Sequence, residues 1–257
     1  LIREKIMKIT NIYRYPIKSF SKEEKNEVEI TDFNRIVGDR IAAFKIGENT
    51  KKYEWLPKKN YLSLMHVPHI SKIKIKYIDS INKLSIKIPD RKEFLVNSSN
   101  KLKMESEISD YLSKNKFEKD FNFISTNDDE ISFHDTKDGG ISLHSTGSEK
   151  ELEMNLNDIE RVRFRSNLII DSCKPFEELK WVGKTIMISS LKFKVAKTIT
   201  RCAAVNCNPS KGIYDKNILK LLPELNGIEE PSFGIKLKLI SKGGIIKKGD
   251  PVKIINP

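Results

Sequence analysis

Lys72-Ile73-Lys74-Ile75-Lys76 alternates charged and apolar residues, and Lys83-Leu84-Ser85-Ile86-Lys87-Ile88 alternates polar and apolar ones after a short break. A period of two puts the apolar set on one face and the lysines on the other, as in a half-buried strand. Ile88-Pro89-Asp90-Arg91 then interrupts any ladder. Working outward, similar short segments predict strands at 8–15, 26–31, 40–46, 70–78, 83–88 and 93–96. A second set follows at 121–125, 161–170, 185–188, 191–199, 234–240 and 251–255. Helices are expected at 100–114, where Leu102, Ile108, Tyr111 and Leu112 suggest one face, and at 146–156 and 216–222. Many short strands, few helices and Gly-rich turns such as Lys242-Gly243-Gly244 indicate a mainly β protein of barrels or sandwiches. The helix at 100–114 divides the chain, so two linked β-domains are expected. No G-x-G-x-x-G follows a strand, and no Walker loop is present.

Lys and Arg account for 47 of the 257 residues and Asp and Glu for 35, a formal charge of +12. That balance invites an anionic polymer as partner. Only nine of the basic residues are Arg, however, and the lysines are spread evenly along the chain. The distribution reads as a solvated coat and argues against a nucleic-acid face. In so lysine-rich a chain, a retained Arg points to a need for a planar fork. No stretch approaches the roughly 18 consecutive apolar residues of a membrane-spanning helix. Three cysteines cannot build a disulfide framework, and no signal-peptide pattern opens the chain, so a reducing cytoplasm is expected. Met7-Lys8-Ile9 would serve as a start, with residues 1–6 an extension.

Four clusters carry potential chemistry. Tyr15-Pro16-Ile17-Lys18-Ser19 reads either as a strand ending in a turn or as an ammonium and a hydroxyl at a barrel rim. Val37-Gly38-Asp39-Arg40 is a tight turn delivering Arg40, or simply a surface ion pair. In Arg161-Val162-Arg163-Phe164-Arg165-Ser166-Asn167, strand periodicity places Arg161, Arg163, Arg165 and Asn167 on one face. Three guanidinium groups so placed suit a phosphate, or else mark a basic edge strand. In the fourth, Thr200-Arg201-Cys202-Ala203-Ala204-Val205-Asn206-Cys207-Asn208-Pro209, a lone cysteine is ordinarily a small buried hydrophobe. Cys202 beside Arg201 at a strand end could instead be a thiolate, which is both a nucleophile and a soft metal ligand. Cys207 and Cys173 are read as structural. The four histidines show no zinc spacing.

Taken in order, these clusters, together with Phe233-Gly234 and Gly249-Asp250-Pro251-Val252, resemble the MOSC (molybdenum cofactor sulfurase C-terminal) domain family. The form with an N-terminal MOSC β-barrel domain, as in the mitochondrial amidoxime-reducing component and its bacterial relatives, is the nearer likeness. It implies two linked β-barrel-like domains, at 7–98 and 99–257, with a molybdenum–molybdopterin cofactor between them. By position, Cys202 would ligate the metal and act as the catalytic residue. Lys18, Ser19, Arg40, Ser142, Ser145, Arg163, Arg165, Asn167, Thr200 and Arg201 would form the cofactor-binding set. Pyridoxal phosphate binding is a further association of the family. The resemblance implies an oxidoreductase that reduces N-oxygenated or related small substrates. Electrons would come from an external flavin or iron–sulfur protein, since the chain carries neither motif. Asn208 stands where the reductase branch has a carboxylate, and Phe20 where a small residue or Cys is usual. A non-redox carrier of sulfur or cofactor on Cys202 is the alternative. No nucleic-acid partner and no membrane span are expected.

Overall fold

The computed structural model describes residues 6–47, 55–128 and 130–255. The expected extension at 1–6 therefore lies almost wholly outside the described residues. The chain is mainly β, with three helices: α1 (Lys101–Ser113), α2 (Thr146–Leu156) and α3 (Ile218–Asn226). None is long and apolar enough to cross a membrane.

Seven strands close into a barrel. Its order runs Leu168–Ile170, Ile141–Ser145, Ser232–Leu239, Leu191–Thr200, Thr185–Ile188, Pro251–Ile255 and Met7–Arg14, and the last pairs back to the first. Closure leaves the long strands without open edges. The interior is filled by alternate residues of each strand, including Ile9, Leu143, Ile170, Ile186, Phe193, Val195, Ile235 and Val252. Met7–Arg14 thus joins a barrel whose other strands come from residue 141 onward. Glu27–Ile30 likewise pairs with Gly244–Lys247.

A second apolar cluster is built on Phe44, Leu62, Ile75, Ile86 and Phe123. It is covered by the three-stranded sheet Lys74–Ile78, Lys83–Lys87 and Glu93–Leu95, by the pair Ala42–Ile46 and Phe121–Ser125, and by α1. The helix buries Met104, Ile108 and Leu112, a spacing of four that keeps one stripe against the sheet. Leu102, which the sequence reading put on this face, is 79% exposed. At about 100° per residue it sits roughly 200° from Met104, on the opposite side. Ile108→Ala should therefore destabilise the protein by about 2–5 kcal/mol, while Leu102→Ala should stay within about 0.5 kcal/mol. Urea unfolding of the two variants checks the contrast.

Other departures are local. Pro68–Lys72 is a 3-10 turn, so the strand expected from Ile70 begins only at Lys74. The strand Ile141–Ser145 lies outside the expected set: its apolar–polar alternation spans only Ile141 to His144, and both of its faces are buried. The largest departure is at 161–170. Arg161–Phe164 is a 3-10 turn, Arg165 is left-handed, and only Leu168–Ile170 is a strand. Arg161, Arg163 and Arg165 therefore do not share the face that a period of two would give them.

Candidate functional site

A cleft of about 490 Å³ opens on the outer face of the barrel strands Ile141–Ser145, Ser232–Leu239 and Leu191–Thr200. Ser142, Lys236 and Lys197 contribute to it from these strands, and Lys18, Trp55, Lys58, Met65 and Asp135 line it from elsewhere in the chain. Apart from Asp135, its charged lining is basic.

The strand that delivers Cys202 bends at a bulge between Val195 and Lys197. Beyond its end, Arg201 anchors the chain. Its backbone N–H donates to Pro231 O at 2.7 Å, and its guanidinium donates to the carbonyls of Phe233 and Phe164. Cys202 then opens the 3-10 turn Ala203–Asn206, with Val205 N–H donating to Cys202 O at 3.1 Å. Asn206 fixes the turn's far end, its Oδ1 accepting from Ile218 N–H at 2.8 Å at the start of α3. Cys202 is partly exposed at the cleft wall. Cys207 is buried and its thiol is pushed up to about 11, chiefly by burial. The Cys173 thiol is likewise raised by burial, with Glu178 and Glu177 adding to the effect. Both fit the structural reading.

The anion-facing end is organised around the buried ring of Tyr15. The guanidinium of Arg165 lies 4.3 Å from the ring centroid and that of Arg40 lies 4.9 Å away. Asp39, also buried, accepts from Tyr15 N–H at 2.7 Å, from Arg40, and lies 3.5 Å from His134 Nε2. Burial would raise the Asp39 carboxyl, but Arg40, His134 and the Tyr15 amide hold it far below the usual carboxylate range. His134 stays neutral, pulled down to about 3 by burial and Arg40. Arg165 donates Nη1 to Phe20 O at 2.6 Å, while its Nη2 is buried with no hydrogen-bond partner. Phe20 itself is core, stacked on Phe44 at 5.0 Å. Ser19, Arg40 and Arg165 all have positive φ, between 52° and 70°. Such left-handed non-glycine residues concentrate where a site over-determines the backbone.

Lys18 is buried and donates to Phe133 O at 3.0 Å and to Asp135. Burial lowers its pKa against the pull of Asp135. The Asp135 carboxyl loses solvation in the cleft, yet the Lys18 ammonium holds it below the usual range.

The remaining expected residues divide. Ser142 lines the cleft and donates Oγ to Asn167 Oδ1 at 2.9 Å. Asn167 does not line it; it clips Ser142 to Tyr13 O beneath the surface. Ser145 is also remote from it, capping α2 and donating to the buried Glu178. Thr200 reaches the cleft with its hydroxyl donated to Glu230. Arg163 touches the cleft but is engaged by Asp215 and Glu160. Arg161 turns to Asn11 and Glu149. Asn208 donates to Asp215 at 2.7 Å, where a second carboxylate would meet the first. Trp55, Lys58, Met65, His134, Asp135, Lys197 and Lys236 were missed in the sequence. Nothing local marks them, and the two strand lysines read as ordinary solvated alternation.

Residues 129–253 match the family model of the MOSC domain. This segment is a MOSC domain. The family is associated with the molybdenum cofactor. Among solved structures, the YuaD protein from Bacillus subtilis is similar over 97% of this chain and 96% of its own, at 13% identity and a TM-score of 0.44. YiiM from Geobacillus stearothermophilus is similar over 46% of this chain and 54% of its own, at 14% identity and a TM-score of 0.32. No curated protein matches the sequence at a significant level. The MOSC domain contributes Cys202, Arg165, Ser142 and Lys236 to the cleft, while Lys18, Ser19 and Arg40 reach it from outside the matched segment.

Lys236 gives the site a pH signature. Burial, then Arg40, lowers its ammonium to about 7, with Asp135 and Asp39 opposing and Arg35 adding to the shift. Between about pH 7 and 10.4 the unfolded chain binds the proton and the folded chain does not, so this group's contribution to stability rises with pH. Lys236→Met should raise the melting temperature of the cofactor-free protein at pH 6, and the gain should shrink toward pH 10. Thermal melts across that range check it; a gain independent of pH would contradict the assignment.

Proposed function

We propose that this MOSC protein is an oxidoreductase that holds a molybdenum–molybdopterin cofactor in the cleft, with Cys202 as the protein's ligand to the metal. The observation that carries the reading is the pairing of an accessible thiol with an unsatisfied guanidinium in one basic cleft. Among the described residues no three His, Cys, Asp or Glu side chains cluster as a metal cage. One thiolate suits a metal whose other ligands arrive with an organic cofactor. The free Nη2 of Arg165 and the nearby Arg40 fit a phosphate with bidentate geometry. When bound, the cofactor supplies two-electron redox chemistry at molybdenum. The chain's part is to present Cys202 on an anchored turn and to hold the arginines on Tyr15. Reduction of an N-oxygenated substrate consumes two electrons and two protons per water released, and the electrons would come from a separate flavin or iron–sulfur protein.

The test is metal analysis and oxidised-pterin fluorescence on protein from a cofactor-producing host. Stoichiometric molybdenum that accepts electrons from a chemical reductant is the expected result. Labile sulfur on Cys202 without metal would replace this reading with that of a carrier.

A further inference from the structure

In the cleft lining, Lys197 and Lys236 stand directly opposite each other on neighbouring antiparallel strands. Like charges so placed repel and destabilise the pairing. Neither ammonium has an ion-pair or hydrogen-bond partner among the described residues. The two carboxylates whose charge reaches Lys236 are already paired, Asp135 with Lys18 and Asp39 with Arg40. Lys236 is also only partly exposed, and a Cβ at Gly140 would lie 3.0 Å from its Cε, so its stem runs close over the glycine. On its other side, Lys236 is in register with Ser142. Lys58 adds a third ammonium to the same cleft. The same strands carry a second opposed pair, Lys194 and Lys238, but both of those are exposed and lie outside the cleft, whereas the cleft pair sets an exposed Lys197 against a half-buried Lys236. Repulsion there is screened by water. In the cleft it is relieved best by a bound anion.

We propose that Lys197 and Lys236 form a second anion subsite, with Lys197 about 10 Å, or two strand spacings, from Ser142, and that it takes a carboxylate or phosphate group of a bound ligand. The assignment of the cleft as a cofactor and substrate site underlies this inference. The anion is either an acidic group of the substrate or a second phosphate on the cofactor. In both cases the cleft gains an anchor beyond the one that Arg40 and Arg165 provide.

Calorimetric titration of the cofactor-free chain with inorganic phosphate at pH 6, where Lys236 carries its proton, tests the subsite. Two phosphate sites are expected, and Lys197→Gln/Lys236→Met should weaken one of them at least about tenfold, as expected for lost charge-assisted hydrogen bonds. Lys236→Arg, which keeps the charge, should retain it, and Lys194→Gln/Lys238→Gln should leave both unchanged. Equal effects from the two double variants, or no second site in the wild type, would mean an adventitious ion only and overturn the proposal. The molybdenum-loaded protein distinguishes the sources. Retained phosphate binding, with normal pterin content in the Lys197/Lys236 variant, assigns the subsite to the substrate. Loss of both assigns it to a cofactor phosphate. If the wild type carries no molybdenum, the proposed function fails, while the phosphate titration still decides the subsite.

Discussion

Cys202→Ala protein, produced alongside the wild type in a host that makes the cofactor, should contain less than about a tenth of the wild-type molybdenum, because the proposed function makes this thiolate the protein's ligand to the metal. Its fold should be untouched. The Cys202 side chain has no hydrogen-bond partner among the described residues and is partly exposed, so its stability should change by no more than about 0.5 kcal/mol. The turn that carries it is held by Arg201, Val205 and Asn206, none of which depends on the thiol. Loss of metal without loss of stability separates a ligand from a packing residue. Undiminished molybdenum in this variant would remove Cys202 from the site.

Asp39→Ala should have the largest effect on stability, about 3–5 kcal/mol, because it takes the carboxylate from a partly buried guanidinium and the acceptor from a buried amide. The Arg40 guanidinium would then lose its carboxylate partner and keep only the oxygens of Arg165 and Asn167, so under the proposed function retention of the cofactor should fall as well. The folded-state pKa of Asp39 lies far below its unfolded value near 3.9. Its stabilising contribution is therefore complete above about pH 4 and is lost as the pH falls toward the folded value. Denaturant melts of wild type and Asp39→Ala should show a constant gap from pH 8 to 5 that narrows on further acidification. Asp39→Asn, which keeps an acceptor oxygen, should recover part of the loss. A gap below about 1 kcal/mol at pH 7 would show that Asp39 is not the organising group.

The strands were legible where one face is wet and the other dry, as at Lys74–Ile78 and Lys83–Lys87. There, alternation in the sequence is a direct record of the environment. Ile141–Ser145 was harder to read, since its alternation is only four residues long and its polar face is buried as well. The arginine run at 161–165 alternates too, yet it winds into a 3-10 turn with Arg165 left-handed. Its three guanidiniums part toward Glu149, Asp215 and Phe20. No local pattern records that, because the partners lie in other parts of the chain.

The sequence by itself determined a mainly β protein, its helices to within a few residues, and a short set of chemically capable side chains around Cys202, Lys18 and Arg40. Tertiary structure alone decided which of these face one another. It turned Arg163 and Arg201 into supports, with their terminal nitrogens engaged by carboxylates or carbonyls, and left Arg165 Nη2 without a partner. It also drew Lys197 and Lys236 out of an even lysine coat and set them opposite each other in a cleft. Burial and unsatisfied valence belong to the packed arrangement, and no count of residue types contains them.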